Sequence, residues 1–150
     1  MSDKETKHAA LGLLSRRDHS KAELVQKLRQ RGFSVSEDAP LMEQLQDWGY
    51  LDDTRFAMGY VRSRFHRGVG PNRLRQELRT KGVSSSLIES ALQQQELDWW
   101  AACLSVAERR YQRNDIEQYA SRQKAYRFLM GRGFESEQIQ FAFDELRQHG

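Results

Sequence analysis

The chain has 150 residues, of which 38% are hydrophobic and 30% charged, with a formal net charge of +3. It can bury a core under a heavily charged surface, but no apolar run reaches the roughly 18 residues that a membrane span needs. Its one cysteine, Cys103, excludes an internal disulfide framework and a cysteine-based zinc knuckle.

The first segment, Met1 to Lys7, is polar and of mixed charge, has no signal-peptide apolar region, and reads as a disordered tail. A helix is expected from about His8 to Ser15, with Ala10, Leu11 and Leu14 inward. Ser20 followed by Glu23 forms a capping box for a second helix, which carries Leu24 and Leu28 and stops at Gly32-Phe33. Pro40 precedes a third helix with Leu41, Leu45 and Trp48 at helical spacing, ending at Gly49. Asp52 and Asp53 are N-cap candidates for a fourth helix that runs to about Phe65. Gly70-Pro71 places proline at the first position of the next helix, which ends at Lys81 with Gly82 as a left-handed stop. Ser86 with Glu89 reads as the capping box of the following helix, whose apolar face is Leu87, Ile88, Ala91 and Leu92. Trp99, Trp100, Cys103, Val106, Ala107 and Tyr111 make a long apolar stripe. A polar run through Asn114-Asp115 separates it from a helix opened by Ser121 and stopped at Gly133-Phe134. Ser136 opens the last helix, with Ile139, Phe143 and Leu146 inward.

The same grammar thus recurs. Ser20 to Gly32, Gly70 to Gly82 and Ser121 to Gly133 are each separated by 12 positions. No segment alternates as a strand does. The expected class is all-α: tandem three-helix repeats at 8–52, 53–97 and 98–150, stacked into an elongated, curved, solenoid-like array. Units of this size seldom bury enough surface alone.

Charge is distributed unevenly over these repeats. Residues 1–53 hold 8 Lys/Arg against 10 Asp/Glu, residues 54–97 hold 8 against 3, and residues 98–150 hold 8 against 8. The middle repeat therefore carries the excess, in Arg62, Arg64, Arg67, Arg73, Arg75, Arg79 and Lys81. Glu77 is the one acid between positions 62 and 81. Arginine's planar fork suits carboxylate or phosphate capture, and Gly68 and Gly70 would let the backbone approach a partner closely. These seven residues are the candidate partner-binding set, with Tyr60 either beside them or in the core. A solvated charged face is the other reading of the same run.

Other chemistry finds no support. Gly68-Val69-Gly70 lacks the third glycine and the preceding strand of a nucleotide loop. His8, His19, His66 and His149 are scattered without metal-ligand spacing. Asp52-Asp53 reads as caps, Cys103 as a core thiol, and the tryptophans as core. No nucleophile, base and orienting group come together. No catalytic residue, cofactor or metal is expected.

The stretch Tyr50-Leu51-Asp52-Asp53-x-Arg55-Phe56, with Gly70-Pro71-x-Arg73-Leu74-x-x-Glu77-Leu78-x-x-Lys81-Gly82-Val83, resembles the signature of the RecX family. Leu14-Ser15-Arg16-Arg17-Asp18-His19-Ser20-x-x-Glu23-Leu24-x-x-Lys27-Leu28 is similar to the family's first repeat, and the likeness spans most of residues 8–146. The resemblance implies a cytoplasmic, monomeric, non-enzymatic regulator of the bacterial recombinase RecA, acting in DNA repair and the SOS response. It would bind the RecA–single-stranded DNA filament and limit filament growth, ATP hydrolysis, strand exchange and repressor cleavage. Weak binding to single- or double-stranded DNA could accompany this. The alternative is a helix-turn-helix-like protein that binds DNA directly, with the Arg73–Lys81 helix in a major groove.

Overall fold

The computed structural model describes residues 3–149, and among them the secondary structure is entirely helical. In chain order the helices are α1 (Asp3–Arg16), α2 (Lys21–Gln30), α3 (Pro40–Asp47), α4 (Asp53–Phe65) and α5 (Pro71–Thr80). They continue as α6 (Ser85–Leu92), α7 (Trp99–Arg110), α8 (Arg113–Glu117), α9 (Tyr119–Gly131) and α10 (Ser136–His149). By contacts the chain divides into two compact units. Residues up to Tyr60 together with Leu78–Ala91 form the first; Val61–Glu77 together with residues from Leu92 onward form the second. The divisions fall within α4, α5 and α6.

The first unit is built on the apolar faces of α1, α2 and α3. Ala10 and Leu13 of α1, Leu24, Val25 and Leu28 of α2, and Met42 and Leu45 of α3 form one buried cluster with Leu51. The second unit has its own core. Cys103, Val106 and Ala107 of α7 pack with Ile116, Ala125, Leu129, Phe134, Ile139, Ala142, Phe143 and Leu146. Phe134 is wholly buried; a side chain of this type contributes roughly 1.5–3 kcal/mol when removed from water.

The stops are the most regular feature. Gly32, Gly49, Gly68, Gly82 and Gly133 all have positive φ. At Gly82 the N–H of Val83 bonds back to Leu78 O at 3.1 Å and that of Gly82 to Arg79 O at 2.9 Å, the two bonds of a Schellman motif. At φ +77° a β-carbon would be strained, and it would also lie 2.4 Å from the Ala22 side chain.

The starts are more varied than the sequence suggests. Ser20 caps α2 by accepting from Glu23 N at 3.1 Å, and Asp52 caps α4 by accepting from Arg55 N at 3.1 Å. Asp53 instead accepts from Lys21 N at 2.8 Å. Pro71 opens α5 as expected. The first helix reaches back to Asp3, well before the expected start at His8. The cap of α6 is Ser84, not Ser86: its hydroxyl faces Leu87 N at 3.5 Å. Ser121 is no cap, because α9 begins at Tyr119 and the Ser121 hydroxyl donates back to Asp115 O and Gln118 O. The expected polar run contains α8, begun where Asp115 accepts from Gln112 N at 2.8 Å.

Candidate partner-binding site

The seven basic side chains do not share one fate. Arg79 and Lys81 belong to the first unit; Arg62, Arg64, Arg67, Arg73 and Arg75 belong to the second. In the second unit Glu77 receives two guanidinium groups, Arg64 at 2.9 Å and Arg73 at 3.1 Å. Arg75 donates to Asn72 Oδ1 at 2.7 Å and reaches Glu135 at 3.3 Å. Arg62 is exposed and donates to Gln94 Oε1 at 2.8 Å. Arg67 is exposed, and Arg73 keeps 44% of its side chain in water. In the first unit Arg79 is exposed, whereas Lys81 pairs with Glu23 at 3.1 Å. Lys81 also lies 5.5 Å from the Tyr60 ring centroid, and that ring packs on Phe56 at 5.8 Å. Lys81 and Arg75 thus find acids that sequence proximity hides, 58 and 60 positions away.

The loop before α5 also corrects an expectation. Gly68 and Gly70 permit a close approach, but the approach is internal to the second unit. Gly70 N donates to Arg132 O at 2.7 Å and Asn72 N to Gly133 O at 2.8 Å. Arg132 returns the contact, donating from Nε to Gly68 O at 3.1 Å and from Nη2 to Arg67 O at 2.8 Å. The orphan N–H groups at the start of α5 are therefore partly satisfied by the chain itself.

The first unit holds a polar network that pattern reading missed. Glu23 does not complete a capping box. Its carboxylate receives Arg17 at 3.1 and 3.2 Å and Lys81 at 3.1 Å. Burial alone would push this carboxyl up, but the hydrogen bonds and charges of Arg17 and Lys81 outweigh it and hold the pKa at about 2. The Ser20 hydroxyl donates to Lys81 O at 2.6 Å. His19 is 2% exposed. Its Nδ1 lies 3.0 Å from Arg17 O and its Nε2 3.1 Å from Lys27 Nζ, so Nδ1–H donates to the carbonyl and Nε2 accepts. Burial, followed by the charge of Arg17, lowers its pKa below the ordinary histidine value. The sequence signal was there: the Arg-Arg-Asp-His-Ser run ahead of α2 sits inside the segment resembling the first family repeat.

Two expectations about aromatic and sulfur groups part company. Cys103 is buried in the second core, and burial pushes its thiol up to about 12. The tryptophans are less internal than their spacing implies. Trp48 is 49% and Trp100 43% exposed; Trp48 lies under the Lys7 ammonium at 4.4 Å, and Trp100 packs edge-on against Phe141. Trp99 donates to Leu92 O at 2.8 Å and packs on Phe65. Among the described residues no group of three or more His, Cys, Asp or Glu is placed to hold a metal ion, and no helix is long and apolar enough to cross a membrane.

Family comparisons cover nearly the whole chain. Models described as the first, second and third three-helix domains of RecX match residues 7–37, 52–92 and 96–143. The regulatory protein RecX of Legionella pneumophila (strain Corby) is 40% identical over 139 residues, covering 93% of each chain. That of Halorhodospira halophila (strain DSM 244 / SL1) is 44% identical over 137 residues, covering 89% of this chain and 83% of the relative. A crystal structure of a regulatory protein RecX superposes with a TM-score of 0.80 at 27% identity, over 95% of this chain and 73% of the other. The RecX structure from Lactobacillus salivarius gives 0.83 at 24% identity, over 97% and 96%, a likeness of fold. All three domains match in order, and relatives align at up to 44% identity over most of their length: the chain belongs to the RecX family.

Proposed function

We propose that this protein is a non-enzymatic negative regulator of RecA. It binds the RecA–single-stranded DNA filament in the cytoplasm as a monomer and limits filament growth, ATP hydrolysis, strand exchange and cleavage of SOS repressors. The observation that carries this reading is the ordered match of all three RecX domains across the chain. Contact through the seven basic residues of the middle segment is part of the proposal. Arg62, Arg67 and Arg73, exposed on the second unit, are its centre there. Arg64 and Arg75 are engaged in ion pairs and support the same surface from within.

The test is co-sedimentation with RecA filaments together with inhibition of DNA-dependent ATP hydrolysis, with naked single-stranded DNA as the control. Binding that requires RecA supports the proposal. Equal binding to naked DNA, collapsing steeply with salt, would replace it with the direct DNA-binding reading. For that alternative, the backbone contacts of Gly70 and Asn72 weigh against a free helix N-terminus in a groove.

A further inference from the structure

An open cleft of about 470 Å³ lies in the first unit, where the C-terminal end of α1 meets one face of α2. Arg16, Arg17, His19, Lys27, Gln30 and Arg31 line it. Four of these six are cations, and among the described residues no Asp or Glu lines the cleft. Lys27 comes from the last turn of α2 and Arg31 from its C-cap, and both line the cleft. Arg16 and Arg17 arrive from the end of α1.

The charge in this cleft is not neutralised from behind. Glu23 binds Arg17, but the same carboxylate also holds Lys81, so one negative charge serves two cations. Arg16 and Arg31 are exposed, and among the described residues neither has a carboxylate within salt-bridge distance. Lys27 reaches inward to the Nε2 of His19 at 3.1 Å, a neutral acceptor. The crowding is felt: burial first, and then the Arg17 charge, lowers the Lys27 pKa. This is the reverse of the middle segment, where its own Glu77 occupies Arg64 and Arg73, and acids from elsewhere in the chain occupy Arg75 and Lys81.

We infer that this cleft is a binding site for a phosphate group, held by the forks of Arg16 and Arg31 and the point charge of Lys27. Planar guanidinium donors match the tetrahedral oxyanion two oxygens at a time, and an ammonium adds charge without demanding direction. Arg17 stays fixed on Glu23 and forms the wall. Gln30 offers a neutral donor at the rim. The phosphate could come from a nucleic-acid backbone or from a free polyphosphate, because both present the same oxyanion.

The experiment uses the full chain without RecA, so its result is independent of the regulatory function proposed above. Tripolyphosphate, ATP and a single-stranded oligothymidylate are titrated by calorimetry at fixed ionic strength, and amide shifts are mapped on the unmodified protein. The expected result is saturable binding of at least one probe, with shifts centred on residues 13–19 and 27–31. Arg16→Gln with Arg31→Gln should weaken it at least about tenfold, as expected for losing charge-assisted contacts. Lys124→Gln with Arg127→Gln, an equal charge change on exposed positions of α9, should leave it within about twofold. Binding of the oligonucleotide but not of tripolyphosphate or ATP assigns the phosphate to a nucleic-acid backbone; binding of tripolyphosphate or ATP but not of the oligonucleotide assigns it to a free polyphosphate; mutual displacement supports one shared phosphate site. No saturable binding of any probe, equal weakening in both double variants, or shifts centred elsewhere overturns the inference.

Discussion

The backbone of Gly70 lies directly against that of Gly133. A β-carbon on Gly70 would sit 2.4 Å from the Gly133 carbonyl carbon and 2.4 Å from Phe134 N. One on Gly133 would meet Arg73 N at 2.7 Å and Gly70 O at 2.9 Å. Gly70 is thus required by the Gly133–Phe134 backbone, while Gly133 is required both by its positive φ and by the start of α5, and the pairing carries two backbone hydrogen bonds, Gly70 N to Arg132 O and Asn72 N to Gly133 O.

Gly70→Ala should therefore cost at least about 2 kcal/mol, because the atoms it strikes are backbone and cannot rotate away. Gly12→Ala is the matched control. Gly12 sits inside α1, and a β-carbon there would meet nothing within 4 Å, so alanine should stabilise by roughly 0.5–1 kcal/mol. Urea denaturation of the two variants checks both signs. Equal midpoints would mean that Gly70 is not in close contact.

Glu23 makes the first unit sensitive to acid. Its carboxyl titrates at about 2 when folded against an ordinary value of 4.5, so the folded state binds fewer protons than the unfolded one in between. The stabilisation is then complete above about pH 4.5 and is lost as pH falls toward 2. With 11% of the side chain exposed, roughly 1–3 kcal/mol rides on it. Glu23→Gln should lose that amount at neutral pH and show a flatter stability profile between pH 4.5 and 2. A variant profile parallel to the parent's would remove Glu23 from the network.

Much of this architecture is legible in the chain because its helix stops are local. Phe33, Val83 and Phe134 each follow a glycine in positive φ, and both residues of the signal are adjacent in sequence. Starts are less local. Ser121 has the right spacing to be a cap, yet its hydroxyl is satisfied by the end of α8, a helix that its polar composition conceals. Trp48 has core spacing but stands beyond the end of α3, where the Gly49 turn carries it outward. Charge is the least legible of all. The seven basic residues look opposed by Glu77 alone when only neighbours are counted, but Glu23 and Glu135 approach from about sixty positions away. Conversely, the acids of the first segment outnumber its cations without lining the cleft that Arg16, Lys27 and Arg31 share.

Cys103 should be chemically silent in the folded protein. It is fully buried, and its thiol is pushed up to about 12 by burial alone, so the reactive thiolate is scarce at pH 8. Alkylation by iodoacetamide should proceed only on unfolding, at a rate that follows the opening of the second core. Prompt labelling without denaturant would place the thiol at the surface.

The last prediction separates binding from scaffolding among the arginines of the second unit. Arg67 is exposed, and Arg73 makes one half-exposed pair with Glu77 four positions on, a type of contact worth roughly 0.3–0.5 kcal/mol. Arg67→Ala with Arg73→Ala should leave helical content unchanged and shift stability by under about 1 kcal/mol. Inhibition of RecA's DNA-dependent ATP hydrolysis should fall much further. Charge-assisted contacts of about 1.5–3 kcal/mol each would cost roughly tenfold or more apiece in affinity for the filament. Arg75→Ala should behave oppositely: Arg75 is less exposed and reaches Glu135 and Asn72, so its loss should lower stability more than inhibition. The two variants are compared by thermal melting and by ATPase inhibition over a range of salt. If the Arg67 and Arg73 variant inhibits as well as the parent, these arginines are a solvated face, and the filament contact lies elsewhere on the chain.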